Sequence, residues 1–156
     1  MRLNVSTCYA MQIMLYLTRN RKSVSSSELS NKLMISQRYI LQIAGKLRDG
    51  KLLGVKAGMS GGYSLNMQPS AISVYDVISL MEGDIGIPEC VTNIPGCGEP
   101  CKTSNLLDTL SVMKDYLDTY LKSITFDSLA DMNISGHLPD ILGLVVTHID
   151  EMKAKS

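Results

Sequence analysis

A mainly α-helical fold carrying one small β-hairpin is what three features of the 156-residue sequence predict. Apolar residues recur at helical spacing in several segments. Serines placed before acidic residues, and glycines placed after apolar runs, mark helix starts and stops. In KLLGVKAGMSGGYSLN a Gly-rich tip separates two short runs of strand character. An apolar fraction of 45% supports a real core, although Trp is absent and only one Phe is present. The length fits one domain, or a small domain with an appended helical element. No apolar run approaches a bilayer span, and the start MRLNVSTCYA lacks a signal-peptide pattern, so the expected location is cytoplasmic.

Taken in order, STCYAMQIMLYL places Tyr9, Ile13, Met14 and Leu17 on one helix face. Ser25-Ser26-Ser27-Glu28 has the form of a capping box, Ser25 as N-cap and Glu28 reaching back, opening a short helix through Leu33. Met34 and Ile35 make a tight connection. Ser36 then caps a third helix, QRYILQIAGKLRD, closed by Gly50. Two short helices joined in this way, the second rich in polar and basic side chains, form a helix-turn-helix signature. The hairpin that follows is then a wing. Pro69 breaks the chain, and Ser73 with Asp76 opens a fourth helix, VYDVISLME, closed by Gly83.

The segment from Asp84 to Thr103 holds Gly86, Pro88, Pro95, Gly96, Gly98 and Pro100, so it is a loop, longer than most in compact domains. Beyond it, Leu106, Leu110, Met113, Leu117, Tyr120 and Ile124 form one apolar stripe on a long helix, suited to packing on the core or on a second copy. A short helix near TFDSLADM follows, and PDILGLVVTHIDEM predicts an amphipathic helix over 139–152. The expected organisation is a winged helix-turn-helix domain over 1–83, a cysteine loop over 84–103, and a dimerisation helix with C-terminal helices over 104–156.

The zero net charge hides a split. Residues 1–68 carry ten Lys/Arg and two Asp/Glu, a balance of +8, whereas residues 69–156 carry five and thirteen, a balance of −8. A basic half facing a polyanion is the reading this supports, and with a winged helix-turn-helix the polyanion is double-stranded DNA. The N-terminal part of the recognition helix presents Ser36, Gln37, Arg38, Tyr39 and Gln42 to base edges. Arg can bridge guanine O6 and N7, and Gln can bridge adenine N6 and N7. Lys46 and Arg48 suit phosphates, and Lys56 with Ser60 and Gly61 at the wing tip suits a close backbone approach. Each has a plainer use: Tyr39 as core, Arg48 paired with a carboxylate of the acidic half, and the winged helix as a protein-interaction module. No phosphate-binding Gly loop precedes a helix and no nucleophile has a convincing base, so an enzyme is not expected.

Three of the four cysteines, Cys90, Cys97 and Cys101, lie within ECVTNIPGCGEPC, and the fourth is Cys8. The spacing is not that of paired zinc knuckles, and His137 and His148 are far along the chain. Thiolates in a Gly- and Pro-rich loop suit an iron–sulfur cluster, with free backbone N–H groups at Gly96 and Gly98 to face sulfur. The same thiols could instead form a thiol–disulfide switch, bind zinc together with Cys8, or be incidental. An electron-transfer or cluster-carrier protein would share the cysteines but needs no basic face.

MRLNVSTCYAMQIMLYL, SQRYILQIAGKLRDGKLL and GMSGGYSLNMQPSAISVYDVISLMEG together resemble the Rrf2 family of bacterial winged-helix regulators, from Met1 to about Asp131. The GGYxL element after the wing tip, followed by Pro, Ile and a DVI helix ending in Gly, is the most specific part. The resemblance implies homodimers whose long helix crosses its partner, and transcriptional regulation at a palindromic operator. Cluster-binding members carry three cysteines in the loop before that helix, and Cys90, Cys97 and Cys101 match them. That branch implies one 2Fe–2S or 4Fe–4S cluster per subunit. Where some members place a histidine ligand, three residues past the last cysteine, this chain has Ser104. In others a residue early in the first helix of the other subunit fills the fourth position, and the matching residue here is Cys8. The segment from Asn133 to Ser156 lies outside the resemblance.

Overall fold

A computed structural model describes residues 3–58, 61–83 and 105–131. The cysteine loop, Ser60 of the wing tip and the helix expected at 139–152 lie outside the described residues. The elements are α1 (Val5–Asn20), α2 (Ser26–Leu33), α3 (Gln37–Asp49), β1 (Leu53–Lys56), β2 (Gly62–Leu65), a 3-10 turn (Pro69–Ala71), α4 (Val74–Glu82), α5 (Asn105–Ser123) and α6 (Phe126–Asp131). The fold is the mainly helical one with an antiparallel hairpin that the sequence predicts. No helix among the described residues is long and apolar enough to cross a membrane.

The helix ends show how local chemistry sets these bounds. At α4 the capping box is complete: the Asp76 N–H donates to Ser73 Oγ at 3.2 Å, and the Ser73 N–H donates to Asp76 Oδ2 at 2.8 Å. At α2 only half of the expected box forms. The Glu28 N–H donates to Ser25 Oγ at 3.1 Å, but the Glu28 carboxylate accepts from the Tyr16 hydroxyl at 3.2 Å. Gly50 follows α3 as expected, yet its φ is −76°, and the left-handed residue is Lys51 at φ 61°. What Gly50 supplies is room. A Cβ there would stand 2.4 Å from the Leu80 side chain of α4.

One main core organises the described residues. Ala10, Ile13, Met14 and Leu17 of α1 are buried against Leu29 of α2, Ile40, Ile43, Ala44 and Leu47 of α3, Val77 of α4 and Phe126 of α6. A smaller cluster joins α4 to the C-terminal half of α5, where Val74, Ile78 and Leu121 are buried and Leu117, Tyr120 and Ile124 pack around them. Backbone pairing locks that joint: the Val74 N–H donates to the Ile124 carbonyl at 2.8 Å and the Phe126 N–H to the Ile72 carbonyl at 2.9 Å. The α5 stripe is therefore used unequally. Its C-terminal half covers α4, whereas Met113 remains 61% exposed.

The wing is tied down on its second strand. In the hairpin Leu53 pairs with Leu65 and Lys56 with Gly62. Val24, just before α2, adds a bridge to β2: its N–H donates to the Tyr63 carbonyl at 2.9 Å, and the Tyr63 N–H returns the bond at 2.8 Å. Gly62 makes this approach possible, since a Cβ there would lie 2.4 Å from the Val24 carbonyl oxygen.

Candidate DNA-binding interface

Helix α3 has two opposed faces. Ile40, Ile43, Ala44 and Leu47 are buried, and Ser36, Gln37, Arg38, Gln42, Lys46 and Arg48 are exposed. At 3.6 residues per turn the buried set fills one side, and the polar set is left for whatever meets the protein from outside. Of the residues expected to face bases, Ser36, Gln37, Arg38 and Gln42 are exposed, and Tyr39 takes the plainer use. Tyr39 is half-buried, its ring edge-on to Tyr9 with centroids 5.7 Å apart, so it packs α3 onto α1. The Gln37 side-chain amide donates to Ser26 Oγ at 2.9 Å, fastening the start of α3 to the start of α2.

The cations divide similarly. Arg48 pairs with a carboxylate, though not one from the acidic half: its Nε and Nη2 reach Asp49 Oδ1 at 3.0 and 2.7 Å. That contact raises the guanidinium pKa above its usual value. Lys56 is exposed at the end of β1. Gly61 has a use within the hairpin, because a Cβ there would lie 2.2 Å from the Lys56 carbonyl oxygen.

Behind α3 lies a junction that sequence reasoning did not anticipate. Glu82, the last residue of α4, accepts from the Asn4 N–H at 2.7 Å, from Asn4 Nδ2 at 2.5 Å and from the Thr7 hydroxyl. A carboxylate at a helix N-terminus meets the unsatisfied N–H groups of the first turn. The Thr7 hydroxyl bond foremost, then the Asn4 N–H, holds the Glu82 carboxyl below its usual pKa, and the Lys46 ammonium adds to this. The junction therefore joins the start of α1, the end of α4 and the recognition helix. A cleft of about 190 Å³ lined by Ser6, Tyr39, Gln42, Ile43, Lys46 and Met81 runs between the same three elements. Cys8 is exposed in the second turn of α1, one residue past Thr7. Among the described residues no group of three His, Cys, Asp or Glu side chains is placed to hold a metal.

Comparison with known proteins bears on what this interface serves. Residues 3–132 match the Rrf2 family, described as iron-dependent transcriptional regulators. Over 152 residues the chain is 31% identical to the HTH-type transcriptional regulator IscR of Escherichia coli, covering 95% of this chain and 90% of that one. Its fold is similar to that of CymR (YrzC), the global cysteine regulator of B. subtilis, with a TM-score of 0.68 and 25% identity over 83% of this chain and 96% of CymR. The fold of T. potens IscR is also similar, with a TM-score of 0.64 and 23% identity over 83% of this chain and 85% of that one. With a basic recognition helix, a wing and these relatives, the chain belongs to the Rrf2 family, whose members are DNA-binding regulators of transcription and not enzymes.

Proposed function

We propose that the protein is a homodimeric regulator whose operator affinity is set by an iron–sulfur cluster held by Cys90, Cys97 and Cys101 of one subunit and Cys8 of the partner subunit. The donor set fits the group, since four thiols are the usual complement for such a cluster. The observation that carries the reading is the position of Cys8. Its thiol is exposed near the start of α1, outside the core of its own chain, where a second subunit can reach it. The partly exposed stripe of α5, with Met113 uncovered, supports a second copy as its occupant.

When bound, the cluster supplies a tie that oxidation or nitric oxide can break. The chain's own residues then carry the effect. Glu82 fixes the start of α1 to the end of α4, and Lys46 and Tyr39 relate both to α3. A shift of one recognition helix against its copy matters because a dimer must meet grooves roughly 34 Å apart. The signal must favour one dimer geometry over the other by differential binding. A spectrum of anaerobically purified protein, with iron and sulfide quantitation and DNA binding before and after air exposure, tests this. Colourless, iron-free protein after anaerobic reconstitution would overturn it. For Cys8, a Cys8→Ala variant with an unchanged cluster spectrum and lifetime removes that residue from the ligand set.

The likeness to CymR, for which an oxidised form of the Staphylococcus aureus protein is among the similar folds, supports a second reading. In it the loop is a cluster-free thiol–disulfide switch on a repressor. Mass spectrometry of air-oxidised protein separates the two.

A further inference from the structure

Two features of α3 are explained neither by packing nor by hydrogen bonding. Leu41 is 49% exposed on the recognition helix. Gly45, one turn further along, sits in the helix interior, where glycine is destabilising, yet a Cβ built there meets no neighbouring atom within 4 Å. Unlike Gly50 or Gly62, it is not required by anything inside the protein. Counting about 100° per residue, Arg38, Leu41, Gln42 and Gly45 fall within roughly 100° of arc, opposite the buried stripe. Gly45 lies near the middle of that arc. The notch is therefore cut into the part of α3 that comes nearest to an external surface.

We infer that Leu41 reads a thymine 5-methyl group in the major groove and that Gly45 is small so that α3 can sit deep enough for this contact. The inference rests on the DNA-binding role of α3. The groove is about 12 Å wide and a helix with side chains about 10–12 Å across, so added bulk at the centre of the facing arc pushes the axis outward. Arg38 and Gln42 can address hydrogen-bonding edges. Leu41 cannot, and the thymine methyl is the one apolar group on those edges.

The test begins with selection of an operator from random duplex DNA by the full-length protein. Each thymine of that operator is then replaced by deoxyuridine, which removes only the methyl group. At least one replacement weakens wild-type binding about fourfold, the worth of one buried carbon, and leaves Leu41→Ala binding unchanged. Gly45→Ala unfolds at a higher denaturant concentration than wild type yet binds the operator more weakly, which a purely structural glycine would not do. If wild type and Leu41→Ala respond alike to every replacement, or if Gly45→Ala binds as tightly as wild type, the inference is overturned while DNA binding stands. Failure to select any duplex removes the DNA-binding role and this inference with it.

Discussion

The wing's attachment gives the sharpest quantitative prediction, through Gly62→Ala. At this position φ is 155°, a backbone conformation that alanine rarely adopts, and the new methyl would stand 2.4 Å from the Val24 carbonyl oxygen and 3.0 Å from the Ser25 nitrogen. These are backbone atoms and cannot swing aside. Relief requires β2 to move away from Val24, breaking the two bonds between Val24 and Tyr63. Two hydrogen bonds are worth about 2 kcal/mol together, and backbone strain at such a site adds about 1 kcal/mol or more. The expected loss is about 3 kcal/mol, a sizeable part of a stability of roughly 5–15 kcal/mol. Urea denaturation measures the loss, and hydrogen exchange at the Val24 and Tyr63 amides localises it. A change below about 0.5 kcal/mol, with both amides as protected as in wild type, would refute the reasoning.

Three further perturbations probe other parts of the argument. Glu82 has a folded-state pKa below its ordinary value, so its contribution is present above the ordinary carboxylate pKa and is lost as pH falls through the folded one. Glu82→Gln should therefore unfold at a lower temperature than wild type near neutral pH, with the difference shrinking on acidification; a constant gap would rule this out. Asp49→Asn frees Arg48 from its ion pair, so DNA affinity should rise and the plot of log affinity against log salt should steepen by about 0.9. An unchanged slope would show that Arg48 meets no phosphate. Phe126→Ala empties a fully buried site joining α6 to the core and should cost about 3–5 kcal/mol in urea titration; a cost below about 1 kcal/mol would mean that α6 is not anchored there.

What was legible in the sequence was whatever neighbouring residues decide. Ser73 with Asp76 marked the start of α4, where a capping box forms in full, and the period of α3 separated its buried from its exposed face. At α2 the same local logic failed by half, because a competing partner, Tyr16, lies twelve positions away in sequence. Gly50 was placed correctly for the wrong reason: its neighbour Leu80 comes from another helix, and contacts of that kind leave no local trace. The left-handed turns at Arg21, Met34 and Lys51 were not legible, since nothing in those side chains advertises a positive φ. On α3, the polar candidates were legible because their chemistry names them. Leu41 and Gly45 were passed over because an apolar residue and a glycine carry no donor to count. The Glu82 junction joins residues 75 and 78 positions apart and could only be seen folded.

That junction has a consequence for the operator itself. Lys46, whose ammonium is the smallest of the influences that keep Glu82 ionised, is also one of the proposed phosphate contacts of α3. Coupling between two binding equilibria is reciprocal. If the chemistry of the cysteine segment changes operator affinity by some factor, the operator must change the equilibrium of that chemistry by the same factor. DNA is then an effector of the sensor as well as its target, and a protein seated on its promoter should respond at a different threshold from the same protein free in solution.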